Sequence, residues 1–445
     1  MLDSMKRHTD AIIKRMTGQS AGEREAQTQR LLNATIVLWL CGTPVRGIVA
    51  RVCAVLGVPW VAPVLSCLII FLPLALYVLK ARRLPDCLLF MVVYVVSAAF
   101  FLVTLLLNPD YLYWYQRDTY GISYTIFNPI YGAIWALLMV EMAKTPRNLC
   151  RCFKWAALIM FLYDLFLALR ALQTGGSWEY INMNGVVAQR GYSIEFGYSM
   201  MFVALVFITL WCLDRKKRYL VVAGVSVVLT VMFGSRGPLL CLVVFLAFLF
   251  AMWIRARRRN GAYIALVCIC AALALLFFDP IAHFFTSVAS GVFGVDSRTL
   301  NLILEGGIAG DSGRSEIFAA VSQALWNNPF GYGAYGDRPV VGPLYNWGYS
   351  HNIVLEFMMD FGVVPGLLLF VILVVAALRA IMCSSDRMLS LMALIPFSMC
   401  ASLMMSDTFW GSVYFWMLVG IVVVYHGKTG AKRVPRHAEP RRLKR

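Results

Sequence analysis

The sequence predicts an all-α polytopic membrane protein with about twelve transmembrane helices, and three observations point to that class. The 445 residues are 60% hydrophobic and only 14% charged, with a mean hydropathy of +0.72. Several apolar runs exceed the roughly 18 residues that mark a spanning helix. None shows the alternation of a strand, and a backbone in hydrocarbon must satisfy its own hydrogen bonds, which long apolar runs do as helices.

Residues 1–30 are polar and basic, carry no signal-peptide cleavage pattern, and are expected as a cytoplasmic tail. The first apolar segment, 31–57, is interrupted by Pro44, Arg46 and Arg51. Clearer spans follow near 60–79, 87–107, 124–143, 155–172, 195–213, 219–234, 238–254 and 262–278. A long loop, 279–351, separates this first membrane domain (31–278) from a second (352–425) with spans near 352–378, 388–404 and 408–425. Residues 426–445 form a second basic tail.

The formal charge of +17 is a topology signal rather than a nucleic-acid footprint, because cytoplasmic loops gather Lys and Arg. When twelve spans alternate from a cytoplasmic N-terminus, 31 of the 40 basic residues fall on the cytoplasmic side. The other nine are all arginines: Arg46, Arg51, Arg117, Arg170, Arg190, Arg236, Arg298, Arg314 and Arg338. A guanidinium keeps its charge when partly buried and grips phosphate in a planar fork, so this set points to an anionic ligand. Single arginines among them could equally snorkel to headgroups.

Twelve cysteines show no disulfide framework; most lie in apolar runs and none in the long loop. Cys150 and Cys152, or Cys268 and Cys270, are too close and isolated for a metal site, and no carboxylate cluster offers one. No metal or other cofactor is expected. The absence of a visible internal repeat weighs against a transporter built from repeats.

Four patterns can carry chemistry, and the topology puts all four at the outer face. They are Ala188-Gln189-Arg190-Gly191, Gly234-Ser235-Arg236-Gly237-Pro238 between two spans, Gly313-Arg314-Ser315 with the Gly-rich run Asn328 to Gly336, and Tyr349-Ser350-His351-Asn352 running on to Asp360 and Gly362. An Arg between glycines at a helix end is costly unless it faces a cavity or a partner. The formal GxGxxG at 331–336 lacks the strand and βαβ setting of a dinucleotide site. Gly331 and Gly333 are expected instead to permit a close turn beside a ligand. Of the five histidines only His351 stands beside these patterns, where it could take a proton from a hydroxyl or merely cap a helix. Tyr332, Tyr335, Tyr345, Trp347 and Tyr349 could stack on sugars or form an interfacial belt.

In this order the patterns resemble the bacterial O-antigen ligase and Wzy-type polysaccharide polymerase superfamily. The resemblance runs through Ser235-Arg236-Gly237, then Arg314 with Asn-Pro-x-x-Gly-x-Gly at 328–333, then His351-Asn352 with Leu355 and Gly362. Asp360 stands where the family commonly has Glu, and Arg190 lacks the family's neighbouring Asn-Pro pair. The likeness spans roughly 188–375.

It implies a metal-independent, inverting membrane glycosyltransferase of GT-C-like fold, acting on undecaprenyl-diphosphate-linked glycan at the outer face of the bacterial cytoplasmic membrane. His351, Arg236 and Arg314 would be catalytic. Arg190, Arg338, Ser235, Asn352, Gly331 and Gly333 would bind diphosphate or glycan. The expected activity is polymerisation of lipid-linked repeat units into capsule, exopolysaccharide or O-antigen. Transfer of a finished glycan to lipid A core or protein is the alternative, and a lipid-linked oligosaccharide transporter the reading from a different class. The expected partners are the lipid-linked donor, a glycan or lipid acceptor, membrane lipid, and a chain-length regulator or flippase, with no nucleic acid.

Overall fold

The computed structural model describes residues 21–118, 120–174, 178–181, 187–190, 193–256, 283, 286, 287, 291, 313–345 and 348–426. The ninth expected span, 262–278, the loop position Arg298 and both tails beyond these limits lie outside the described residues.

The chain is an integral membrane protein of the expected all-helical class. Among the described residues seven helices are long and apolar enough to cross a membrane: Pro59–Ala81, Leu88–Leu107, Pro146–Gln173, Ile194–Asp214, Gly237–Arg255, Val363–Cys383 and Arg387–Met404. An eighth candidate is the broken pair of α1 (Ala21–Leu40) and α2 (Gly42–Val55), whose axes bend by 74°. The break has a chemical cause, because Pro44 offers no N–H to the carbonyl of Leu40.

The remaining elements are α3 (Ala62–Ala81), α4 (Leu88–Leu107), α5 (Trp135–Ala143), α6 (Pro146–Gln173), α7 (Ile194–Asp214), α8 (Lys217–Phe233), α9 (Arg236–Ala256), α10 (Arg314–Asn327), α11 (Ile353–Phe361), α12 (Val363–Cys383), α13 (Arg387–Met399) and α14 (Val413–Ile421). Two four-residue strands follow α6: β1 (Trp178–Ile181) pairs antiparallel with β2 (Val187–Arg190), Trp178 opposite Arg190.

Several expected spans are shorter or broken. The segment 124–143 becomes an irregular stretch followed by nine-residue α5, the tenth span divides at Gly362 into α11 and α12, and the twelfth starts only at Val413. Hydropathy does not register such breaks, since a turn made of apolar residues scores like a helix.

Local chemistry sets the helix starts. Thr145, Ser193, Asp386 and Ser412 cap the helices that follow them, each side chain accepting a backbone N–H of the first turn. Helix α7 is the most enclosed span, whereas Leu88–Leu107, Gly237–Arg255 and Val363–Cys383 turn most of their surface outward. Such apolar faces suit a lipid surround.

Contacts between elements define two ends of the bundle. At one end Leu89 and Phe90 donate backbone N–H groups to Glu141, Arg387 donates to the Cys212 carbonyl at 3.2 Å, and Tyr425 donates to the Val140 carbonyl at 2.8 Å. This end carries Lys80 to Arg83, Lys144 to Lys154, Arg215 to Arg218 and Arg387. At the other end Trp39 donates to Pro129, Tyr198 meets Ser406, and Ala334 donates to Thr104. This second end carries the motif-bearing loops.

Candidate active site

The loop after α10 is fixed to the bundle by a buried ionic centre. Asp337 and Arg338 are 0% and 2% exposed, and Arg338 Nη1 lies 2.7 Å from Asp337 Oδ1. Arg338 Nη2 approaches Glu356 Oε1 at 3.8 Å, and its guanidinium sits 4.2 Å from the ring centre of Tyr335. Glu356 and Asp360 are one turn apart on α11, so both carboxylates reach the same side. Glu356 accepts from the Thr408 hydroxyl and from Phe409 N at 3.0 Å; Asp360 accepts from Gly336 N at 3.0 Å and Trp410 Nε1 at 2.5 Å. Three carboxylates thus converge on one resident cation. An unpaired charge in such a place would cost several kcal/mol, roughly; here the carboxylates face the two Nη atoms, while the buried Nε of Arg338 has no hydrogen-bond partner among the described residues.

That centre joins two loops. Asp337 Oδ2 accepts from Ser350 N at 2.7 Å, which positions His351, while Glu356 and Asp360 hold residues 408–410, which positions Asp407. Tyr335, His351 and Asp407 have φ of +61°, +53° and +82°. Left-handed backbone costs a non-glycine residue about 1–2 kcal/mol, so the surrounding bonds must impose it. The other described non-glycine residues with positive φ, Arg82, Lys144 and Arg215, end helices at the basic end.

His351 is half-buried, with its ring 4.3 Å from that of Tyr349 and a hydrogen bond to the Met405 backbone. Burial, then the charges of Arg314 and Arg338, push its imidazole down to about 4, so the ring is neutral at physiological pH. The Tyr349 hydroxyl is raised by burial and bonds to the Asp407 backbone. Asp407 is itself open to solvent although protein surrounds it on most sides, and that surrounding raises its carboxyl to about 6 against the opposing pull of the Thr408 N–H and Arg338.

The third component comes from the Ser235-Arg236-Gly237 turn. A Cβ at Gly237 would lie 2.1 Å from the Tyr198 hydroxyl, so only glycine lets Tyr198 cross this turn and meet Ser406 Oγ at 3.0 Å. Arg314, half-buried in the first turn of α10, is within electrostatic range of both Tyr198 and His351.

Residues 225–371 match the family model described as O-antigen ligase. Over that stretch the chain is similar to the O-antigen ligase family. No curated protein and no solved structure matches the chain. The matched stretch begins within α8 and ends within α12, and contains Ser235, Arg236, Arg314, Gly331, Gly333, Arg338, His351 and Asn352. It excludes Arg190 on β2 and the 405–408 loop.

The matched stretch places His351 and Arg314 within electrostatic range of each other, while the side chains of Arg190 and Arg236 lie outside the described residues. Four expected ligand-binding residues are engaged by protein instead. Arg338 is buried in the ionic centre. Gly331 (φ +86°) packs on the backbone of Gly362, where a Cβ would stand 2.5 Å from Gly362 N, and Gly333 (φ +80°) packs on Thr104. Asn352 caps α11, its Oδ1 accepting from Val354 N at 2.9 Å and Leu355 N at 3.3 Å. Of the candidate sugar-stacking rings, Tyr335 is fully buried and bonds Thr125 at 2.7 Å, and Tyr332 donates to the Ala324 carbonyl. The residues missed from sequence are Tyr198, Glu356, Ser406 and Asp407.

Proposed function

We propose that the chain is a glycosyltransferase that polymerises undecaprenyl-diphosphate-linked repeat units into surface polysaccharide, working at the outer face of the bacterial cytoplasmic membrane. The observation that carries this reading is the match of residues 225–371 to the family model described as O-antigen ligase, a stretch in which His351 lies within electrostatic range of the Arg314 cation at the end opposite the basic connectors. A neutral base next to a cation suits a reaction in which a hydroxyl loses a proton while a diphosphate leaves.

In the proposed step the acceptor hydroxyl oxygen attacks the anomeric carbon of the donor sugar. A new carbon–oxygen bond forms as the bond to the diphosphate breaks, and the electron pair departs with the lipid diphosphate. His351 takes the hydroxyl proton. Arg314, with Arg236 on the neighbouring turn, meets the charge that develops on the leaving group. Attack opposite the leaving group inverts the anomeric centre, and the guanidinium groups do the work that a metal ion would otherwise do. The preference for a polymerase over transfer of a finished chain rests on the Tyr332 to Arg338 stretch.

The test compares wild type with His351→Ala at matched protein level and sizes both surface polysaccharide and the lipid-linked pool. Single repeat units accumulating on lipid while long chains vanish is the expected result. Full-length chains stranded on the carrier would identify a ligase, and two unchanged pools would remove His351 from the chemistry.

A further inference from the structure

Arg46 belongs to neither the ionic centre nor the reaction site, yet it lies at the same end of the bundle. It stands in the second turn of α2, just past the break, where Trp39 at the end of α1 donates to the Pro129 carbonyl at 2.8 Å. Its guanidinium carbon lies 4.2 Å from the ring centre of Tyr131, and Tyr131 stacks on Tyr124 with centroids 4.5 Å apart and planes 23° apart. Stacking on an aromatic face fixes the plane of the fork, which lowers the entropy lost when an oxyanion binds.

Part of its hydrogen-bonding capacity is unspent. Nη2 donates to the Thr43 hydroxyl at 3.2 Å, Nη1 is buried with no partner, and no carboxylate pairs with Arg46 among the described residues. Carboxylates are the usual partners of a half-buried guanidinium; phosphate offers the same bidentate geometry.

We propose that Arg46, oriented by Tyr131 and Tyr124, forms a second binding site for a phosphate oxyanion carried on a lipid. Lipid is favoured over free phosphate because the rest of α2 and its exit expose an apolar strip: Ile48, Val52, Val55, Leu56 and Trp60. One layer of side chains separates this site from the loop that carries Asp407. Thr125, next to Tyr124, bonds the Tyr335 hydroxyl, and a Cβ at Gly411 would lie 3.7 Å from Thr125 Cβ and 4.0 Å from Asp407 Oδ1. What the site is for rests on the proposed function: a polymerase must hold two carrier lipids at once, the one that leaves and the one on which the product stays.

The test measures equilibrium binding of tritiated farnesyl diphosphate to the full-length protein in phosphatidylcholine nanodiscs. Wild type is expected to bind two equivalents, with Arg46→Ala and Arg314→Ala each losing a different one. If Arg46→Ala does not fold, Tyr131→Leu keeps the charge, withdraws the stack, and is expected to weaken that site about tenfold. Repeating the measurement with phosphatidylglycerol in the disc separates the sources: suppression of the Arg46 equivalent alone identifies a phospholipid headgroup, and no suppression identifies the diphosphate carrier. One equivalent in wild type, unaffected by Arg46→Ala and lost with Arg314→Ala, overturns the Arg46 site and leaves the transferase reading standing. One equivalent lost only with Arg46→Ala supports the site and counts against the transferase reading, and no binding at all removes both.

Discussion

His351 is kept neutral by its setting: partial burial and two nearby guanidinium groups all oppose a second proton on the ring. Binding of a diphosphate beside Arg314 offsets one of those charges, so the donor itself should strengthen the base. Histidine-labelled NMR on the detergent-solubilised protein should therefore show His351 titrating near 4 alone and at higher pH with farnesyl diphosphate present. An identical titration in both would mean that no anion binds within reach. The sign for stability follows from the same shift: the ring titrates at about 6.5 in the unfolded chain and lower when folded. The stability it contributes is full above that value and is lost as pH falls through about 4. Arg338 makes a contrasting prediction. As a buried cation among Asp337, Glu356 and Asp360, its change to Ala should destabilise by about 3–5 kcal/mol, read as a large drop in Tm. A variant with wild-type Tm and weakened donor binding would return Arg338 to the ligand-binding role expected from sequence.

The turn between α8 and α9 works as an element because it has no side chain at Gly237. Gly237→Ala should push Tyr198 off Ser406 and destabilise by about 1–3 kcal/mol through overpacking, with transfer activity falling as well. Tyr198→Phe removes the hydroxyl that would clash, so the double variant should recover most of the lost Tm; additive losses would show that the two positions do not meet. Elements of this kind were legible in sequence to different depths. The break at Pro44 and the amphipathic α10, which buries Ile317, Val321 and Leu325 on one face, follow from proline chemistry and helical spacing. The four-residue spacing of Glu356 and Asp360 marks one helix face, but nothing local shows that Arg338, far back in the chain, lies against it. Arg338 therefore reads from sequence as a free cation. Ser406 and Asp407 were hidden for the opposite reason: their turn is short, sits between two apolar spans, and matches no motif. The glycines of the 331–336 run show from sequence that the backbone is crowded, but not that protein rather than ligand crowds it.

At the scale of the whole molecule, the basic connectors occupy one end and His351, Arg314, Asp407 and Arg46 the other. The separation follows from helices that run alternately between the ends and from arginine and lysine clusters at every second connection. In the proposed orientation the basic end faces the cytoplasm, where positive connectors are retained. The chain offers its own reporter for this orientation. Cys383 at the end of α12 is the exposed cysteine among the described residues, and Arg255 donates to its sulfur at the basic end. Gln323, exposed on α10, lies on the motif-bearing side. In right-side-out spheroplasts a membrane-impermeant maleimide should therefore label the Gln323→Cys protein and spare the wild-type protein, and permeabilisation should make Cys383 reactive in both. Labelling of wild-type Cys383 in intact spheroplasts, with Gln323→Cys protected, would invert the orientation. It would also place the reaction site on the side where nucleotide-activated sugars are available, and the case for a lipid-diphosphate donor would fall with it.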